Sequence, residues 1–253
     1  MSESCAAAAT EIGREPDRDC PLCPRLVAFR QSIRTAEPSW HNAPVATFGE
    51  PRARALIVGL APGLRGANRT GRPFTGDFAG ELLYATLLEF GFAEGAYRAI
   101  RDDGLRLKDC AISNAVRCVP PQNKPTPQEI ATCRGFLGAT IADLPELRAI
   151  VALGRIAHDS ILRALDLKLS MFPFGHGAEH DLAQPHGRRI RLFDSYHCSR
   201  YNTNTGVLTP QMFRDVFAAL RQRLDGFDLA LISDKSGGEA QPAARPRNPV
   251  ART

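Results

Sequence analysis

The sequence predicts an α/β fold in which a mostly parallel sheet is covered by helices on both faces. Short apolar runs alternate with stretches whose apolar residues recur every three or four positions, and polar clusters fall where the runs end. In chain order, a first helical pattern follows Cys23. Residues 53–60 (ARALIVGL) make a buried strand that ends in Gly and Pro and opens into a polar loop. Residues 77–90 make a helix, entered at Asp77 and stopped by Gly91. A second strand covers 109–116. The helix over 126–144 opens with Thr126, Pro127 and Glu129, a strong N-cap sequence. A third strand (148–154) runs into a helix around 155–165, and a fourth strand (188–195) precedes a last helix over 209–224. In parallel sheets of this kind the ligand site lies beyond the carboxyl ends of the strands.

The chain has 253 residues, 43% hydrophobic, 23% charged and 7% aromatic, which excludes collagen-like, coiled-coil and wholly disordered classes. No apolar run approaches the roughly 18 residues of a membrane span. The first residues lack the basic start and apolar stretch of a secretory signal, so the expected location is cytoplasmic. Residues 1–18 and 233–253 are rich in Ala, Gly, Pro, Ser and charge, and are expected to be mobile tails around one domain at 19–232. The tails carry opposite charges of equal size, so the formal +5 sits on the body. A moderately basic body suits a phosphate-rich partner, and it equally suits plain solubility. Nothing demands more than a monomer.

Seven cysteines occur, and disulfides are not expected in a reducing compartment. Cys20 and Cys23 form a CxxC turn, while Cys118 and Cys133 flank the Pro-rich segment VPPQNKPTP. Four thiolates so arranged suit tetrahedral zinc or a [4Fe–4S] cluster, and spacing alone does not choose. A redox CxxC pair with the other thiols buried is the competing account. Cys5 falls in the tail and Cys110 is expected in the core.

Three polar loops follow the strands. GLAPGLRGANRTGRPFTGD (59–77) has five glycines that let backbone approach a ligand, and Arg65, Arg69 and Arg72 offer charge to phosphates. Neither GxxxxGK[ST] nor GxGxxG is present. Phe74 can stack on a planar ring or fill core, and Asp77 can cap the next helix while facing a ligand. Asn114, in SNAVRC (113–118), can read an edge bearing both donor and acceptor, or simply make a turn. His197 sits in YHCSRYNTNTG (196–206) with Arg200 and Tyr201 nearby. His41, His158, His176, His180 and His186 carry no functional expectation.

These loops, together with the Cys20/Cys23/Cys118/Cys133 set, resemble the type B (family 5) uracil-DNA glycosylases, the iron–sulfur branch of the uracil-DNA glycosylase superfamily. The resemblance runs from about Cys20 to Leu224. It implies a three-layer α/β/α sandwich and a [4Fe–4S] cluster on those four cysteines. The implied activity is that of a monofunctional DNA-repair hydrolase, which flips uracil or another deaminated base out of duplex DNA and leaves an abasic site. The base would lie among Gly59, Ala61, Pro62, Gly63, Phe74, Asn114 and His197, with Phe74 stacking, Asn114 reading the edge and His197 over the base oxygen. Two positions depart from the family's usual loops: Gly63 stands where GLAPA has its last Ala, and Cys198 where His-Pro-Ser has Pro.

The chemistry needs a donor for the departing base anion and a group that delivers water to the sugar. His197 and Asp77 are the candidates, with Asn114 as the third catalytic residue. Arg65, Arg69, Arg72 and Ser199 are expected at the DNA backbone, and Arg200 and Tyr201 as a wedge in the vacated stack. A protein that binds damaged bases without cutting, and an iron–sulfur redox protein, are the alternative functions.

Overall fold

The structure, a computed structural model, describes residues 15–183 and 189–236, with side chains to 226. Its elements are α1 (Pro24–Ala36), β1 (Phe48–Gly49), β2 (Ala55–Gly59), α2 (Ala67–Thr70), α3 (Phe78–Glu89), β3 (Ala93–Glu94), β4 (Arg106–Leu107) and β5 (Cys110–Asn114). There follow α4 (Pro127–Ala142), β6 (Ala149–Leu153), α5 (Arg155–Ala164), β7 (Glu179–Ala183), β8 (Arg189–Ser195), α6 (Arg200–Asn204) and α7 (Pro210–Ser236). The main sheet has the order β1-β5-β2-β6-β8-β7, and β3 pairs β4 separately. The four expected strands are its parallel centre, β5-β2-β6-β8. Two short antiparallel edge strands, β1 and β7, were not expected.

Residues of β2, β5 and β6 are buried throughout, yet their side chains alternate between two cores. Ile57, Ile112, Val151 and Phe193 pack with Leu83 and Leu87 of α3 and Phe213 and Phe217 of α7. Leu56, Val58, Ile150 and Leu192 pack with Leu137 and Ile141 of α4 and Ile161 of α5. This is a three-layer α/β/α sandwich, and burial on both faces explains why its central strands are continuous apolar runs. Cys110 is buried in the first core, its thiol donating to the Phe92 carbonyl at 3.2 Å.

The chain fills positions on one side of β2 with β5 and on the other with β6 and β8, so the strand order reverses beside β2. A crevice forms at the carboxyl ends of strands where the order reverses. The helix ends are well specified. Thr126 caps α4 by accepting from the Glu129 N–H (3.2 Å), and the Glu129 side chain accepts from the Thr126 N–H (2.7 Å).

The expected tails need correction at both inner boundaries. Residues 15–18 are part of the body. Glu15 accepts from the Thr47 N–H at 3.0 Å and its other oxygen lies 3.5 Å from Nη1 of Arg117. Arg117 is fully buried, and a buried guanidinium needs an acid within reach, which only this segment supplies among the described residues. At the other end α7 runs to Ser236, past both 224 and 232. A lone Gly226 costs about 1 kcal/mol in a helix and does not stop it. Residues 1–14 and 237–253, with Cys5, lie outside the described residues, as does His186. Among the described residues no helix is long and apolar enough to cross a membrane.

Candidate active site

The loop after β2 is shaped by glycine and by one strained residue. Phe74 takes φ +52°, a left-handed conformation that costs a bulky side chain about 1–3 kcal/mol unless its surroundings enforce it. Two tyrosines enforce it. Tyr84 Oη donates to the Pro73 carbonyl at 2.7 Å, and Tyr97 Oη donates to the Phe74 carbonyl at 3.2 Å. Gly80, in the first turn of α3, lies so close that an added Cβ would stand 1.8 Å from the Phe74 oxygen. At the end of β2, a Cβ on Gly59 would lie 2.5 Å from the Phe74 ring and 2.6 Å from Asn114 Oδ1. Gly59 therefore lets the ring and the amide meet above the strand ends.

Asn114 closes β5 directly opposite Gly59, and the departing chain stays tied to the loop by Ala115 N–H to Gly59 O and Val116 N–H to Leu60 O, both 2.9 Å. His197 leaves β8 two residues past its end, and its ring stacks toward Phe74 with centroids 6.0 Å apart and planes 28° from parallel. Its carbonyl accepts from Asn202 Nδ2 at 2.8 Å, and Ser199 caps α6 by accepting from the Asn202 N–H. Burial pushes the His197 pKa down to about 4, so the ring is neutral near pH 7.

Asp77 caps α3 with Oδ1, which accepts from the Gly80 N–H at 3.0 Å. Its other oxygen faces the first loop, where a Cβ would lie 3.1 Å away on Gly63 and 2.4 Å away on Gly66. Burial raises its pKa above the ordinary carboxylate value, against the lowering effect of the Gly80 N–H. Capping and cavity-facing roles thus fall on different oxygens of one carboxyl.

A cavity of about 360 Å³ opens at this place, lined by Ala61, Pro62, Gly63, Phe74, Asp77, Asn114, His197, Ser199 and Arg200, with Leu60, Ala67, Phe78, Ala79 and Asn123 completing the wall. Four chain segments far apart in sequence converge on it. Gly59 lies beneath it. Arg65 and Arg69 are exposed outside it, the Arg69 side chain donating to the Arg65 carbonyl at 2.9 Å. Arg200 lies over the Phe78 ring at 5.2 Å, and Tyr201 is 74% exposed.

Arg72 does not reach this surface. It is 3% exposed and paired with Asp103 at 2.7 and 2.8 Å, with Nε donating to Thr75 and the guanidinium set among Phe48, Tyr84 and Tyr97. Its neighbour Pro73 and the strained Phe74 turn the chain inward, so the expected phosphate contact is corrected to a buried ion pair. Asn123 was missed. It and Gln122 both take positive φ in the turn after Pro120, and Asn in a Pro-bounded loop was the available signal.

The four cysteines also converge. Cys20 precedes α1, Cys23 is its N-cap residue, Cys118 follows β5 and Cys133 lies within α4. They line one small hollow with Leu26, Arg30, Val116 and Phe136. Arg30 donates toward Cys118 Sγ at 3.5 Å and to the Cys20 carbonyl at 3.0 Å, and the Arg117 N–H donates to Cys133 Sγ at 3.3 Å. Burial pushes the Cys23 thiol to about 11 and Cys118 to about 12, and nearby cysteines push the same way. Such a set, buried yet supplied with N–H donors to sulfur, is suited to thiolates held by a cationic centre.

A family profile described as the uracil DNA glycosylase superfamily matches residues 46–221. The type-5 uracil-DNA glycosylase of Thermus thermophilus is 48% identical over 203 residues, covering 78% of this chain and 90% of that protein. The type-5 uracil-DNA glycosylase of Mycobacterium tuberculosis is 42% identical over 209 residues (78% and 75%), and that of Pyrobaculum aerophilum 36% over 202 (78% and 86%). The matched span holds the first loop, Asn114 and His197, and on these alignments the chain belongs to the uracil DNA glycosylase superfamily, in its type-5 family.

Proposed function

We propose that the chain is a DNA-repair hydrolase that takes uracil out of the helix, cleaves its N-glycosidic bond and leaves an abasic site. The observation that carries this reading is the convergence of Phe74, Asp77, Asn114 and His197 on one cavity at the carboxyl ends of the sheet. A base entering it meets the Phe74 ring on one side. The Asn114 amide offers a donor and an acceptor to its edge, and neutral His197 offers a ring N–H toward O2 as negative charge develops there. The ionised Asp77 oxygen on the loop side orients or deprotonates water and favours the cationic sugar. Removing the base from the stack costs a few kcal/mol, least where pairing is already poor, so duplex DNA with mismatched uracil is the expected substrate.

Arg65, Arg69 and Ser199 meet the DNA backbone in this reading, and Arg200 and Tyr201 fill the space the base vacates. Cys20, Cys23, Cys118 and Cys133 would hold a [4Fe–4S] cluster, supported by their shared hollow and the N–H groups aimed at sulfur. When bound, the cluster would serve as a structural brace. It would tie the segment before α1 to the loop that follows Asn114. We take the acting unit to be one domain over 15–236, monomeric and cytoplasmic. The test is incubation with duplex and single-stranded oligonucleotides that each carry one lesion, scored for abasic sites. Free uracil and abasic DNA are the expected products; tight binding without release of base would overturn the hydrolytic reading.

A further inference from the structure

A second buried polar group lies outside the cavity and outside the cysteine set. His158 of α5, Asp194 of β8 and His180 of β7 are 1%, 0% and 12% exposed at their side chains. His158 Nδ1 meets Asp194 Oδ1 at 2.7 Å, and its Nε2 meets the Phe172 carbonyl at 2.8 Å. His180 Nε2 and Asp194 Oδ2 face each other at 3.4 Å, both buried, and neither makes a hydrogen bond. One atom from each of the three residues falls within 4.8 Å of the others. The Phe174 and Phe172 rings stand edge-on to His158 and His180 at 5.5 and 5.8 Å.

A carbonyl and a carboxylate both accept, so the His158 Nε2–H donates to Phe172 and, with no ion bound, a proton on Nδ1 is held against Asp194 Oδ1. That outer hydrogen bond to a backbone carbonyl is the arrangement that orients metal-bound imidazoles. His180 Nε2 and Asp194 Oδ2 are buried facing one point, neither is hydrogen-bonded, and each can offer a lone pair to an ion there. Their 3.4 Å separation is close to the roughly 3.3 Å expected for two ligands on one tetrahedral ion at about 2.0–2.1 Å.

We propose that His158, His180 and Asp194 form a binding site for one divalent transition ion of the zinc class, with water in the fourth position. Two imidazoles and a carboxylate match that ion's donor preference, and the site is separate from the four thiolates. The ion replaces the proton between His158 and Asp194, and the 2.7 Å contact opens by about half an ångström to admit it. Its place explains a use. Asp194 lies three residues before His197, so an ion joining β7, β8 and α5 fixes the strand that launches the His197 loop.

Zinc is added to the protein as purified, and the metal retained against a competing chromophoric chelator is measured, followed by zinc-edge X-ray absorption. The expected result is one zinc per chain with a nearest shell of nitrogen and oxygen at about 2.0–2.1 Å. His180→Gln, a change on an edge strand, should weaken retention about 100-fold or more while the melting temperature without added zinc stays the same; loss of an outer partner alone accounts for 10–100-fold. No retained zinc overturns the proposal. So does a shell made only of sulfur at about 2.3 Å, which would place the ion on the cysteines. Unchanged retention in a folded His180→Gln protein does the same. If that variant fails to fold, the absorption spectrum of the unaltered protein decides.

Discussion

Asp77 has two tasks, and its two oxygens divide them. Oδ1 holds the Gly80 N–H while Oδ2 faces Gly63 and Gly66, so Asp77→Asn can keep the cap through its remaining oxygen yet lose the base. That variant is expected to excise uracil about 10²–10⁴-fold more slowly in single-turnover assays. Because burial raises the Asp77 pKa, and only the ionised form serves the reaction, the rate should fall as pH drops through a value above the ordinary 3.8. Asp77→Asn should abolish that acid limb. His197 works in the opposite sense. Its pKa of about 4 keeps the ring neutral across pH 5–8, so it contributes no step to the pH profile in that range. His197→Ala should cost about 10²–10³ in rate at every pH in that window, the usual loss for one donor aimed at developing charge. A limb near pH 6.5 that vanishes in His197→Ala would show that the ring titrates like an exposed imidazole and would remove this role.

At the scale of elements, legibility followed burial. The central strands were readable because covering on both faces makes them unbroken apolar runs, as in Ala55–Gly59 and Ala149–Leu153. The edge strand Glu179–Ala183 was not, since it buries only Leu182 and reads like a loop. The two-residue β1 is too short to carry any period. Helix α4 was found within two residues at each end because Thr126, Pro127 and Glu129 make their own local cap. Residues 15–18 were misplaced for a different reason. What orders Glu15 is a buried cation 102 positions away in the chain, and composition does not register it. The same long-range logic governs the cysteines. Cys133 sits inside α4 while Cys23 caps α1, so the proposed cluster would reinforce a contact that also holds Leu26, Ile130 and Phe136 and the Arg25–Glu129 ion pair at 2.6 Å. Cys133→Ser should therefore lower bound iron and sulfide below about four each per chain. It should also lower the melting temperature, and iron analysis with thermal unfolding checks both. Full iron content in that variant would exclude Cys133 from the ligand set.

For the whole molecule the question is which part of the +5 charge meets DNA. The site residues with local geometry, Phe74, Asn114 and Asp77, lay in recognisable loops, but arginine side chains within one loop proved to have opposite fates. Arg65 and Arg69 are exposed, whereas Arg72 turns inward to Asp103, and nothing in the spacing of the three distinguishes them. The buried partner, Asp103, is 31 residues further on. Binding to DNA separates the two kinds. If Arg65 and Arg69 each neutralise one phosphate, they together contribute about −1.8 to the slope of log affinity against log salt on duplex DNA. Each single change to Gln should make that slope shallower by about 0.9 and leave the melting temperature near its original value. Arg72→Gln should do the reverse. It breaks a buried pair and leaves Asp103 without its counter-ion, a loss of about 3–5 kcal/mol, while the salt slope of whatever protein remains folded is unaltered. Binding titrations over a range of salt, paired with melting curves, test all three variants together. A slope unchanged by Arg65→Gln and Arg69→Gln would mean that DNA crosses a different face, and the basic body would then contribute only a general attraction.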